Sequence, residues 1–179
     1  MALTVVRSTR TAIVVSSLLA VASSSAWAAT PDCETLNAAS VASALGVPKA
    51  KPNGTQGNHS KLPPDNMDVF GCTYVEVSPD PRARTLGYQV YTPIAKDLAS
   101  VFSSLAAPSI PGKPTSFSPA IGAGSTGWYR LSANGETYDG SIVFKGAANI
   151  IVLRVSGMPS GDAAKSALVK AGNIIAKSL

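Results

Sequence analysis

Histidine is almost missing from this chain: His59 is the one instance in 179 residues. A zinc site wants three or four nitrogen or sulfur ligands, and one histidine beside two cysteines does not supply such a set. The cysteines, Cys33 and Cys72, stand far apart, so the close Cys-x-x-Cys pair of a redox centre is missing as well. No D-x-D-x-D-G run is present, which removes the calcium loop. Charged residues make up only 14% of the chain, and the lysines and arginines are scattered singly. Without a basic cluster interleaved with aromatics, nucleic-acid binding has no footprint. No metal and no cofactor is expected.

What is present begins with Arg7 and Arg10, followed by the apolar stretch Thr11 to Ala22 and by Ala26-Trp27-Ala28. Positive charge, a short apolar core and a small-x-small site form the pattern of a secretory signal peptide. The core is thinned by serines and falls short of the roughly 20 apolar residues that span a bilayer. Residues 1–28 are therefore expected to be cleaved, leaving residues 29–179 as a single periplasmic or secreted domain with no membrane span. Position 29 is alanine, not cysteine, so a lipid anchor is not expected. Loss of Arg7 and Arg10 reduces the 15 Lys+Arg to 13 against 10 Asp+Glu, a formal net of +3. That allows a weak preference for anionic envelope lipids or polymers. In an oxidising compartment Cys33 and Cys72 read as a disulfide, worth at most about 4 kcal/mol through loop closure.

The patterning predicts eight principal elements. Asn37 caps a short helix over Ala38 to Leu45, which Gly46 stops. Residues 48–67, rich in proline and glycine, read as a long loop. Val69 to Val77 and Leu86 to Tyr91 alternate as two strands of a hairpin, joined by Ser78-Pro79-Asp80-Pro81. Thr92 with Pro93 reads as the start of a helix running to about Leu105, with Leu98, Val101, Phe102 and Leu105 on one face. Strands are expected at Thr126 to Leu131, Ser141 to Lys145 and Ile150 to Val155. A last helix, capped by Ser160 or Asp162, carries Ala164, Leu168, Ala171, Ile175 and Leu179 at helical spacing. The order α-β-β-α-β-β-β-α predicts a two-layer α+β fold, an antiparallel sheet of about five strands with helices mainly on one face.

Few motifs point to chemistry. Gly122-Ala123-Gly124-Ser125-Thr126-Gly127 fits G-x-G-x-x-G, but a dinucleotide site needs a strand before it and a helix after it. Here a proline-rich connector precedes and a strand is expected to follow. Ser125 also sits in a loose relative of the G-x-S-x-G elbow, with no histidine later in the chain. Only His59 could assist it, by assembly in space. Carboxylate pairs occur at Asp65 and Asp68, Glu136 and Asp139, and Glu76 and Asp80, in turn-rich contexts that suit solubility better than general acid-base work. Trp128, Tyr129, Tyr88, Tyr91 and Phe70 either line an apolar ligand cleft or fill the core.

Three stretches carry a resemblance. Cys33-Glu34-Thr35-Leu36-Asn37, the helix end Ala44-Leu45-Gly46, and Gly71-Cys72-Thr73-Tyr74 resemble a class of small exported bacterial cell-envelope domains of unknown function. The resemblance implies a cysteine before a short helix paired with one in the first strand. It supplies no catalytic residues. Many members are lipid-anchored, which this chain, without a lipobox, is not expected to be.

The residues thus predict a monomeric, non-enzymatic binding protein of the envelope, whose partner is a protein or an envelope component. Possible contacts are Trp128, Tyr129, Tyr88, Gly124, Ser125 and His59. Two alternatives stand beside it. An inhibitor or immunity-type protein would insert the 48–67 or 122–127 loop into a secreted enzyme. A carrier of a small apolar ligand would need a cavity behind Trp128 and Tyr88. A hydrolase built on Ser125 and His59 is a distant fourth reading.

Overall fold

In a computed structural model of the chain, residues 32–54, 56–57, 59–62, 67–94, 97–106, 115–116, 120–121, 125–131 and 135–178 are described. The expected signal peptide, residues 1–28, lies outside them. So do Gly124 and the last residue of the expected C-terminal helix stripe, Leu179.

Helix α1 spans Ala38–Leu45, and its ends are set by local chemistry. The Asn37 side chain accepts the Ser40 N–H at 3.0 Å, satisfying one of the orphan donors of the first turn. Gly46 adopts φ 66, and the N–H groups of Gly46 and Val47 return to the carbonyls of Ser43 and Ala42. That is a Schellman ending, which needs the left-handed conformation.

Two short strands follow, β1 (Ala50–Pro52) and β2 (His59–Leu62), both antiparallel to β3 (Met67–Glu76). The expected loop over residues 48–67 is corrected accordingly: its two ends form an edge strand interrupted in the middle. At the interruption the Thr73 N–H donates to Gln56 Oε1 at 2.9 Å, so a side chain replaces the missing backbone acceptor. The Gly57 and Asn53 N–H groups bond the carbonyls of Gly71 and Thr73 on either side.

β3 pairs with β4 (Thr85–Pro93) from Met67↔Pro93 to Val75↔Thr85. The expected helix start at Thr92 and Pro93 is therefore also corrected. Those residues extend the ladder, and α2 begins at Leu98 and runs to Ala106. Asp97 is its cap, accepting the Ser100 N–H at 2.8 Å. Strands β5 (Thr115–Ser116), β6 (Ser125–Leu131), β7 (Tyr138–Lys145) and β8 (Ile150–Met158) follow. Helix α3 (Gly161–Ala176) is capped by Ser160.

The fold is α+β, with the expected order of principal elements. Its sheet is antiparallel, ordered β1-β3-β4-β8-β7-β6-β5, with β2 also on β3. Five strands are long; β1, β2 and β5 are short additions at the edges. Alternation along each strand divides the side chains between two faces. Phe70, Cys72, Tyr74, Leu86, Tyr88, Val90, Ile142, Phe144, Ile151, Leu153 and Val155 turn toward α1 and α3, and this cluster forms the main core. Fully burying each large apolar side chain there contributes about 1.5–3 kcal/mol. Val69, Tyr91, Val143, Ile150 and Val152 turn the other way, where the α2 residues Leu98, Val101, Phe102 and Leu105 cover them. Two helices thus share one face, and α2 covers part of the opposite one.

The Cys33–Cys72 disulfide ties the segment before α1 to the middle of β3. Two phenols reinforce it. Tyr74 Oη donates to the Cys33 carbonyl at 2.8 Å, and Tyr88 Oη donates to the Asp32 carbonyl.

Candidate functional site: a groove on the open face of the sheet

Beyond α2, the second face of the sheet carries a groove of about 690 Å3. Its floor comes from alternate residues of three neighbouring strands, and register places them in rows. Gly71 stands opposite Gln89, and Gln89 opposite Val152. Thr73 stands opposite Gly87, and Gly87 opposite Arg154. Val69 and Tyr91 close the end nearest α2, and Thr85 and Ser156 lie at the other. Ser60 of β2 and Asp139 of β7 stand on opposite rims.

Glycine makes the depression. A Cβ at Gly71 would meet Gln89 Cγ and the Tyr88 carbonyl, each at 3.3 Å. One at Gly87 would meet Thr73 Oγ1 at 3.2 Å. A side chain at either position would crowd these neighbours and raise the floor of the groove.

The polar groups differ in how far they are engaged. The Tyr91 hydroxyl donates to Gln89 Oε1 at 3.0 Å. Among the described residues, the Gln89 amide nitrogen has no partner. Thr85 Oγ1 and Ser156 Oγ share a hydrogen bond of 2.6 Å. Asp139 Oδ1 accepts the Gly157 N–H at 3.4 Å. Arg154 is exposed and, among the described residues, makes no ion pair. Burial pushes the Tyr91 phenol above its ordinary value, with the Arg154 charge pulling the other way, so the hydroxyl stays protonated at neutral pH.

Of the aromatic residues expected to line a cleft, Tyr91 does line this groove. Tyr88 belongs to β4, but its ring lies on the α1–α3 side, fully buried and edge-on to Phe70 at 6.4 Å between centroids. Trp128 and Tyr129 are in β6, opposite Ser141 and Gly140; their side chains lie outside the described ones, as does that of His59. Ser125 opens β6, buried, with its Oγ accepting the Ile121 N–H at 3.1 Å. His59 sits in β2, opposite Phe70. Strands β3, β4, β8 and β7 separate β2 from β6, five inter-strand spacings or ~24 Å along the sheet. The two residues cannot share a proton. Gly127, the last glycine of the G-x-G-x-x-G motif, is inside β6, so a strand follows where a dinucleotide site needs a helix.

The carboxylates act as turn supports. Asp80 and Glu136 both accept from Arg82. Glu76 accepts the Arg84 backbone N–H at 3.2 Å, while the Arg84 guanidinium also reaches the Leu45 carbonyl at the end of α1. Asp65 lies outside the described residues.

Reasoning from single strands missed the groove, although a signal was present. In Leu86-Gly87-Tyr88-Gln89-Val90-Tyr91 one parity is apolar and the other is glycine and polar, and Gly71 and Thr73 repeat this in β3.

Comparison with known proteins adds little. No family model matches the chain, and no curated protein does. A solved structure, the crystal structure of LpqN involved in cell envelope biogenesis of Mycobacterium tuberculosis, is similar at 19% identity over 72% of this chain and 87% of that one. Its TM-score is 0.29, too low to carry an argument. Among the described residues no helix is long and apolar enough to cross a membrane.

Proposed function

We propose that this chain is a non-enzymatic binding protein exported to the bacterial envelope, and that its ligand or partner seats in the groove over Gly71 and Gly87. The groove carries the reading. Its volume of about 690 Å3 falls inside the range of about 300–1,000 Å3 typical of ligand sites. It joins an apolar end to a few convergent polar groups, the usual composition of such sites. Binding without turnover is supported by Ser125, whose hydroxyl is buried in a local backbone contact, and by its distance from His59. Export is supported by the Cys33–Cys72 bond, which suits an oxidising compartment.

Native mass spectrometry of the mature protein, gently extracted from its own envelope fraction, tests this against Thr73→Trp. Thr73 is exposed at the groove, so tryptophan there obstructs the space without entering the core. The expected result is a bound species on the wild type that the variant loses. A small-mass adduct supports a carrier, and a second protein supports an inhibitor or adaptor. A species held equally by both proteins ends the groove reading.

A further inference from the structure

The polar groups of the groove are not spread evenly, and their positions around Gly87 define one end of a ligand. Cross-strand neighbours on one face lie about 5 Å apart, and diagonal ones about 7–8 Å apart. Thr73 and Arg154 flank Gly87 across the sheet, and Gln89 and Thr85 flank it along β4. A notch with no side chain of its own is thereby ringed by a guanidinium, an amide and two hydroxyls. At neutral pH every one of these can donate a hydrogen bond, and the guanidinium can only donate. Arg154 has no anionic partner among the described residues, and the Gln89 oxygen is occupied by Tyr91, which leaves the amide donors for a ligand. Toward α2 the floor changes to Val69, Tyr91 and Val152, the apolar residues it shares with the α2 cluster.

From this arrangement, and resting on the groove reading above, we infer that the ligand is an amphiphile whose single oxyanion sits over Gly87 against Arg154, with its apolar part along Val69, Tyr91 and Val152. Arg154 is the one cationic side chain among the described residues lining the groove, which suits a monoanionic head better than a polyanion. A carboxylate and a phosphodiester, each a monoanion at neutral pH, present the same acceptor chemistry to this ring.

Isothermal titration of the mature chain at neutral pH distinguishes them, with decanoate, methyl decyl phosphate and decanol as probes, each below its micelle concentration. Wild type, Arg154→Gln and Arg154→Lys are compared. All three fold alike, because the position is exposed, and circular dichroism checks this. On the wild type the anions are expected to bind at least about tenfold tighter than decanol, the usual margin of a charge-assisted contact. Arg154→Gln is expected to erase that preference while leaving decanol unchanged, and Arg154→Lys to keep part of it. The stronger of the two anions identifies a fatty-acid-like or a phosphate-headed source. Equal binding of decanol and the anions, or a preference that survives Arg154→Gln, overturns the oxyanion. The groove itself still stands in that case if Thr73→Trp abolishes decanol binding. Failure of all three probes also overturns the oxyanion, and the native mass spectrum then decides the groove independently.

Discussion

Gly46 and Gly157 share a backbone conformation, φ 66 and φ 73, and differ in what surrounds them. Nothing lies within 4 Å of a Cβ added at Gly46. One added at Gly157 would fall 3.1 Å from the Arg82 carbonyl oxygen and 3.3 Å from that of Ala83, both backbone atoms that cannot swing aside. Conformational strain alone costs a non-glycine residue about 1 kcal/mol at either site. The second site adds a collision with a neighbouring chain segment. Gly46→Ala is therefore expected to lower stability by about 1 kcal/mol, and Gly157→Ala by about 3 kcal/mol, read from urea unfolding midpoints at constant slope. Equal losses would mean that the segment at 82–84 yields freely to β8.

At the scale of elements, the disulfide and the two tyrosine hydroxyls act on the same few residues ahead of α1. Replacing Cys33 and Cys72 together by alanine is expected to cost about 2–4 kcal/mol, mainly through the longer-ranging unfolded chain. The variant is still expected to fold, because Tyr74 and Tyr88 continue to hold the carbonyls of Cys33 and Asp32. Hydrogen exchange checks this: α1 should lose protection and the β4–β8 ladder should not. Elements whose ends depend on adjacent residues were legible in the sequence, as Asn37 and Gly46 show for α1 and Ser160 for α3. Thr92-Pro93 misled because helix-start chemistry and a strand end look alike locally. The pairing of Met67 and Asp68 with Pro93 and Thr92 decided between them. β2 was illegible because His59-Ser60-Lys61-Leu62 has no apolar alternation and owes its conformation to the edge of β3. The groove was legible only in part, through the glycine and polar parity of β3 and β4. Arg154 joins Gly87 only through the pairing of β4 with β8, a strand distant in sequence.

For the whole molecule, burial and hydrogen bonding set two limits on the pH range of stability. The Asp32 carboxyl is held below its ordinary value by the backbone N–H of Thr35, and that of Asp80 by the backbone N–H of Arg82. A lowered folded value means stability that is present above the unfolded value and lost as pH falls through the folded one. Both groups are exposed, so the acid limb should be shallow. Tyr88, Tyr74 and Tyr91 shift the other way, pushed up by burial from an ordinary value of 10.0. An unfolded tyrosine then gives up its proton first, so stability falls as pH rises above that value. Each phenol can contribute a slope of up to about 1.4 kcal/mol per pH unit. Denaturant unfolding across pH, with tyrosinate absorbance recorded in parallel, should show this alkaline loss. Tyr88→Phe should flatten it most, since Tyr88 is the most deeply placed of the three. A further consequence follows from the position of β8, between β4 and β7 at the centre of the sheet. Among the described strands, the last in chain order is the one that joins the two halves. A chain emerging N-terminus first holds the β3–β4 hairpin and the β6–β7 pair as separate ribbons, each with a row of unpaired backbone N–H and C=O groups along one edge, until residues 150–158 arrive to pair with both.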